Sequence, residues 1–305
     1  MSKVSNTEKS RVVATIPVGT GPFAVAVDVH GQVFVTSRGD NTVSVIKSST
    51  NTVIATLNVG LRPESVATDP QFGVYVANSG NVTVTALDRF NTVVATLNVG
   101  PPGPPPNMLR VAIDHLMSRA YVTDRGRDRV SIIRTSAEPP FVTPDFVEVP
   151  GPLGAAVDPV DHRLYVTQPE FNTVSVIDPA TNRVIGSMAV GQQPMGIAIA
   201  PQKRRVYVTN SGFTTVSVID LATGGSIGVD VAAKPIGVAV DSHGNAYVTA
   251  SDGTVKVIDA LSIRVSDTFS VGSKPEGVAF EPLGNRVYVA NRGDGTVSAI
   301  DLAAT

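Results

Sequence analysis

The chain has no cysteine and no tryptophan, and only 5% of its residues are aromatic. Without cysteine there is no disulfide, no thiolate nucleophile and no cysteine-ligated zinc. The redox compartment is left open. Histidine is scarce as well, at four residues, which thins the supply of general bases and metal ligands. No charge sign prevails: 24 basic residues stand against 26 acidic ones. Nothing therefore draws the chain as a whole to nucleic acid or to a membrane surface. No apolar run approaches the length of a membrane span. The opening MSKVSNTEKSR lacks the apolar core of a secretory leader. The chain as it stands is expected to be cytoplasmic, and secreted or surface-bound if a leader has been removed from it.

What the sequence does have is a repeat. At 305 residues two domains would be the default, but in a repeat array each unit buries its faces against its neighbours. The units open near Pro22, Pro63, Met108, Pro152, Pro194, Pro235 and Pro275. Each starts on a variant of VAVD and continues through a strand around an aromatic, such as VYVAN (74–78). A third strand such as TVSVID (173–178) follows, and a fourth ends in VG, as in NTVIATLNVG (51–60). Four short β-branched strands per unit, parted by Asp, Gly, Asn and Pro turns, predict propeller blades. Apolar residues at both parities suit strands covered on both faces. Small residues in the first strand, such as Gly196 and Gly237, suit wedges that converge on an axis. Asp at the ends of first and third strands, such as Asp28 and Asp88, suits Asx turns. The seventh unit stops after TVSAID without a fourth strand, and RVVATIPVG (11–19) reads like RVIGSMAVG (183–191). The expected fold is all-β, a seven-bladed β-propeller of four-stranded blades. An N-terminal strand completes the last blade and removes its open edge. Residues 1–10 are expected to be disordered and 11–305 to form a single propeller domain.

The stretch VYVTNSGFTTVSVID (206–220), with its variants in the other units, resembles the YVTN-repeat β-propeller family. The resemblance runs over 11–301 and implies the fold. For activity it implies only a range: related propellers bind proteins, sugars or small molecules, and some are lyases or lactonases. A fold does not select among these.

The repeat also accounts for much of the reactive inventory. All six tyrosines (Tyr75, Tyr121, Tyr165, Tyr207, Tyr247, Tyr288) share one second-strand position, which reads as blade packing. The histidines (His30, His115, His162, His243) fall in the turns between first and second strands, opposite the usual ligand funnel. A Ser–His–Asp arrangement needs an imidazole beside its nucleophile, and the funnel face offers none. Streptogramin-lyase propellers, similar in architecture, depend on a funnel histidine as general base; nothing here matches it. On the histidine side, Arg119, Arg163, Lys203, Arg204 and Arg205 form a basic patch. No aromatics are interleaved with it for stacking, so no nucleic-acid partner is expected.

The funnel face is read from the residue after each unit-opening position: Phe23, Glu64, Leu109, Leu153, Met195, Ile236 and Glu276. The loops between second and third strands add Arg38, Asp40, Asp124, Arg125, Arg127, Arg292 and Asp294, while Arg62 and Arg110 flank first strands. Charge thus gathers in blades 7, 1, 2 and 3, and blades 4 to 6 are apolar or neutral. This is the pattern of an amphiphilic small-molecule site, with an apolar surface and a few charged groups that fix orientation. The bland reading is a set of solvated surface pairs. Glu64 and Glu276 stand where other units are apolar, and a carboxylate near the axis needs a partner, water or a metal. No cofactor is expected. Calcium, held axially in gluconolactonase-like propellers, is the alternative, although two glutamates fall short of its roughly six to eight oxygens. The Arg-Gly-Asp tripeptides at 38–40 and 292–294 read as turn composition. The segment 100–110, with Pro101, Pro102, Pro104, Pro105 and Pro106, delivers Arg110 to a position that is Gly, Ser or Ala in the other units. A loop that departs from its repeat on the ligand face is either a functional device or drift.

Three functions follow. The first is a monomeric, non-enzymatic propeller that binds an anionic small molecule or a partner protein. Its binding residues would be Arg38, Arg62, Arg110, Asp124, Arg125, Arg292, Phe23, Leu153, Met195 and Ile236. The second is a lyase or hydrolase acting on an anionic substrate. Glu64 or Glu276 would be its acid or base, and Arg38, Arg110 or Arg292 would stabilise negative charge. The third is a structural or surface-adhesive repeat protein. No membrane partner is expected.

Overall fold

Runs of Val, Thr, Ile and Tyr, about five or six residues long and bounded by Gly, Asn and Asp, fold as strands throughout the chain. The structure is a computed structural model and describes residues 11–100 and 108–302. Among these residues, twenty-eight strands form seven four-stranded antiparallel sheets, with two single-turn helices at Arg125–Arg127 and Pro201–Lys203. No helix among them is long and apolar enough to cross a membrane. Successive sheets pack face to face as the blades of a seven-bladed propeller, and the innermost strands follow one another around the axis. In blades 1 to 7 these strands are Pro22–Val27, Pro63–Asp69, Leu109–Asp114, Ala155–Val157, Pro194–Ala200, Pro235–Val240 and Pro275–Glu281. The ring closes as expected: Arg11–Pro17 pairs antiparallel with Thr296–Asp301, from Arg11 opposite Asp301 to Pro17 opposite Thr296. The disorder expected for 1–10 and the proline run 101–107 lie outside the described residues.

The core is divided into seven inter-blade layers, each built around an aromatic of one blade and the second strand of the next. Tyr207 packs with Val248 and Ile258 of blade 6, Tyr288 with Val33 and Val35 of blade 1, and Phe34 with Val74 and Val76 of blade 2. Burial raises the phenol pKa of all six tyrosines.

The tetrapeptide at 207–210 has a physical role for each remaining residue. Val208 is core. Asn210 Nδ2 donates to Thr215 and Ser217 of the third strand, as Asn78 does to Thr83 and Thr85 and Asn291 to Thr296 and Ser298. Thr209 Oγ1 accepts the N–H of Gly196 in its own blade (2.8 Å) and donates to the carbonyl of Ile236 in the next blade (2.8 Å). Thr123, Thr167 and Thr249 repeat this stitch, to the carbonyls of Leu153, Met195 and Glu276. In blade 2, Ala77 replaces the threonine, and Ser65 Oγ instead accepts Val111 N–H across the blade boundary.

Blade 4 departs from expectation. Its innermost strand starts at Ala155 rather than near Pro152 and is three residues long. The residues before it are still paired to the second strand: Leu153 N–H donates to the Thr167 carbonyl, Thr167 N–H to the Gly154 carbonyl, and Gly154 N–H to the Thr167 hydroxyl. The Asx turns form as read: Asp28 Oδ1 accepts from His30 and Gln32 N–H, and Asp88 Oδ1 from Phe90 and Thr92 N–H.

Candidate functional site

The threonine stitches fix the residues at the axis, because the carbonyls they hold belong to Leu153, Met195, Ile236 and Glu276. With Phe23, Glu64 and Arg110, these side chains line a cavity of about 240 Å³ on the propeller axis, to which all seven blades contribute.

Arg110 occupies the tightest position of the repeat. Its N–H donates to Thr123 Oγ1, as those of Ala24, Gly154, Gly196 and Gly237 donate to their own threonines. A Cβ at Gly196, Gly237 or Gly277 would lie 2.8, 2.5 or 2.6 Å from a backbone oxygen of the next blade. Blade 3 carries a full arginine there, beside the blade whose innermost strand begins late. The side chain reaches toward the two preceding blades: Nη1 lies 3.4 Å from Glu64 Oε2 in blade 2, and the guanidinium sits 5.2 Å from the Phe23 ring centre in blade 1.

Glu64 is the hub. It is 2% exposed and collects Arg38 Nε at 2.9 Å, Arg62 Nη2 at 3.5 Å and Arg110 Nη1. Ser79 Oγ donates to Glu64 Oε2 (3.0 Å) and accepts Leu109 N–H (3.0 Å), so the hydroxyl links the carboxylate to blade 3. The Arg38 guanidinium also lies near Phe23, 5.7 Å from the ring centre. Three guanidinium groups thus share one carboxylate, leaving a local excess of two positive charges. Burial pulls Arg110 below its ordinary pKa, against the attraction of Glu64 and Glu276, and neighbouring Arg38 adds to the lowering. An arginine stays protonated under such pressure, so the site holds an incompletely compensated cation. Arg38 approaches Glu64 through Nε, and Arg110 spends Nη1 on Glu64 and on the Leu109 carbonyl. Their remaining donors have no protein partner among the described residues. Glu276 lines the same cavity but differs from Glu64 in having one ion-pair partner among the described residues, Arg292 at 3.1 Å.

Two residues read as part of the charged wall lie elsewhere. Asp124 is fully buried at the end of its strand and pairs with Arg127 at 2.6 Å, so it faces the interior of blade 3 and not the funnel. Arg125 turns toward blade 4 and pairs with Glu170, outside the axial cavity. Both Arg-Gly-Asp tripeptides are consumed internally: the arginines pair with Glu64 and Glu276, and the aspartates accept Thr20 and Ser273 N–H. On the opposite face much of the basic patch is spent within the fold. Arg119 donates to the Pro179 carbonyl, Arg205 to the Ala260 carbonyl, and Arg204 pairs with Asp158. No histidine lines the axial cavity. Among the described residues no group of three or more His, Cys, Asp or Glu suits a metal ion.

Sequence reasoning missed Ser79 and the stitching threonines. The signal for the threonines was present in the recurrence of Thr36, Thr123, Thr167, Thr209 and Thr249 at one register position. Nothing in the sequence marks Ser79, which matters only because Glu64 lies beneath it.

No family model matches the chain, and no curated protein does. Solved structures do. Kuenenia stuttgartiensis hydrazine synthase superposes with a TM-score of 0.80 at 18% identity, covering 100% of both chains. A streptogramin B lyase structure superposes with a TM-score of 0.78 at 15% identity, covering 96% of this chain and 97% of that one. At these identities the likeness is one of fold.

Proposed function

We propose that this propeller binds a small organic anion in its axial cavity. The observation that carries the reading is the convergence of Arg38, Arg62 and Arg110 on the single buried carboxylate of Glu64. A guanidinium excess in a partly desolvated pocket attracts negative charge more strongly than the same groups in water. The Phe23 ring makes cation–π contact with two of the guanidinium groups. Leu153, Met195 and Ile236 supply the apolar surface of a small-molecule site. The repeated VYVTN-type strands and the roles of their Thr and Asn support placing the chain among YVTN-repeat propellers.

A second reading, a lyase or hydrolase on an anionic substrate, is favoured by Glu276. It faces the cavity with one ion-pair partner and is the better placed of the two glutamates to move a proton. Glu64, held by three arginines and a serine, acts as their counter-ion. A partner protein docked on the charged sector would engage Arg62 and Arg292, the most exposed of the paired arginines there.

The test is calorimetric titration of inorganic phosphate and short carboxylates into the wild type, Arg110→Ala and Arg38→Ala. Binding in the wild type that is lost in both variants is the expected result. Binding that is equal in all three proteins would remove the axial site from the account. Turnover of any bound anion that survives in Arg110→Ala but not in Glu276→Gln would favour the enzymatic reading.

A further inference from the structure

The axial cavity has a neighbour that shares two of its lining residues. Leu153 and Met195 also line a second hollow of about 300 Å³, bounded by Met108, Arg125, Glu170, Gln193 and Ser211 over blades 3 to 5. Sites for small organic ligands hold roughly 300–1,000 Å³. The axial cavity, at about 240 Å³, falls short of that range alone and enters it only when joined to the hollow. The joint is apolar, since it consists of Leu153 and Met195. The cationic end lies on the other side of the axis, at Arg38 and Arg110.

The hollow has its own character. Two of its walls are thioethers, Met108 and Met195, unbranched side chains that adapt to the shape of an apolar guest. Met108 stands where the other six units open on proline, so the adaptable wall is peculiar to blade 3. At the rim Arg125 touches Met108 Sδ through Nη1, at 3.6 Å, and pairs with Glu170 of the next blade through Nη2. That rim pair is solvent-exposed and therefore weak. It adds no net charge and opens at little cost.

We propose that the ligand of the axial site is an amphiphilic organic anion. Its anionic group sits on Arg38 and Arg110, and its aliphatic chain runs across Leu153 and Met195 into the hollow beside Met108. The inference rests on the anion-binding reading above and adds the chemical class of the ligand and the place of its tail.

The experiment titrates acetate, butyrate, hexanoate and octanoate into the wild type, Arg110→Ala, Ser211→Trp and Met108→Ala, with the fold of each variant checked by its melting curve. Ser211→Trp fills the hollow and leaves the axial wall intact; Met108→Ala enlarges it and cannot overfill it. Burial of a methylene, worth about 0.8 kcal/mol, corresponds to roughly a fourfold gain in affinity per carbon. The wild type should show a gain of that order along the series. Ser211→Trp should flatten it, Met108→Ala should reduce it for the longer acids, and Arg110→Ala should weaken every member. If the acids bind through Arg110 but affinity does not rise with length, or rises equally in both hollow variants, the tail assignment is overturned. If no acid binds in an Arg110-dependent way, the anion-binding reading itself fails.

Discussion

Replacement of Glu64 by glutamine is the sharpest probe of the axial cluster. The amide keeps the shape of the side chain and an oxygen for the Ser79 hydroxyl. It removes the negative charge that Arg38 and Arg110 share, and the two guanidinium groups then repel each other. Loss of one member of a fully buried pair costs about 3–5 kcal/mol. The partners here are less deeply placed: Arg110 is 17% exposed, Arg38 28% and Arg62 47%. The Arg62 share is largely screened by solvent, which brings the expected loss to about 2–3 kcal/mol for the other two. At about 2.1 cal/mol/K of unfolding entropy per residue, each kcal/mol moves the melting temperature of a chain this long by roughly 1.5 °C, so Glu64→Gln should melt about 3–5 °C below the wild type at low salt. An anion supplied from solution takes over the missing charge and restores stability by mass action. Phosphate or a carboxylate should therefore raise the melting temperature of Glu64→Gln by more than it raises that of the wild type. Scanning calorimetry with and without the anion reads both effects. A variant that melts within about 1 °C of the wild type would refute the energetic argument. A variant that loses anion binding would show that Glu64 contacts the ligand rather than holding its receptors.

Three further outcomes follow from the fold. Thr209→Val removes the stitch and leaves Gly196 N–H and the Ile236 carbonyl unpaired; urea unfolding should show a loss of about 2–4 kcal/mol, and a change under about 0.5 kcal/mol would mean that water replaces the hydroxyl. Deletion through residue 17 strips Arg11–Pro17 from Thr296–Asp301 and uncovers Ile16's place in the blade 7–blade 1 core; size-exclusion chromatography should find aggregated or unfolded protein, and a stable monomer would show that the ring does not need its closing strand. The tyrosines titrate above their unfolded value, near 10. Above that pH the unfolded chain releases phenol protons that the folded chain retains, so stability is whole below about pH 10 and falls as pH rises beyond it. Tyrosinate absorbance should appear together with loss of the β signal, and stepwise ionisation in a folded chain would contradict the burial.

How much of this could be read from the sequence depends on whether a residue repeats. Tyr75, Tyr121, Tyr165, Tyr207, Tyr247 and Tyr288 recur at one position, so period alone placed them in the blades; Val and Asp positions behave alike. The axis was legible for the same reason, since a residue following a repeated proline occupies a repeated place. Asp124 was misplaced because the end of a second strand looks, in sequence, like the beginning of a funnel loop. The chain turns inward one residue later than the composition implies, where Asn78 and Asn210 are buried in the other blades. In blade 4 the regular strand starts at Ala155, although Leu153 and Gly154 already pair with Thr167 of the neighbouring strand; nothing in the structure explains the later start. The Glu64 cluster could be suspected and not assembled. Arg38, Arg62 and Arg110 come from three consecutive blades, and only the packing of those blades side by side brings their side chains onto one carboxylate. Departures from a repeat, such as Glu64 for an apolar residue and Arg110 for a glycine, are the places where the period stops explaining the residue. In this chain two such departures, on adjacent blades, are in contact at 3.4 Å. A carboxylate buried near the axis needs a partner, and the guanidinium of the neighbouring blade supplies one; the anion-binding proposal asks in addition that Arg110 keep donors for a ligand.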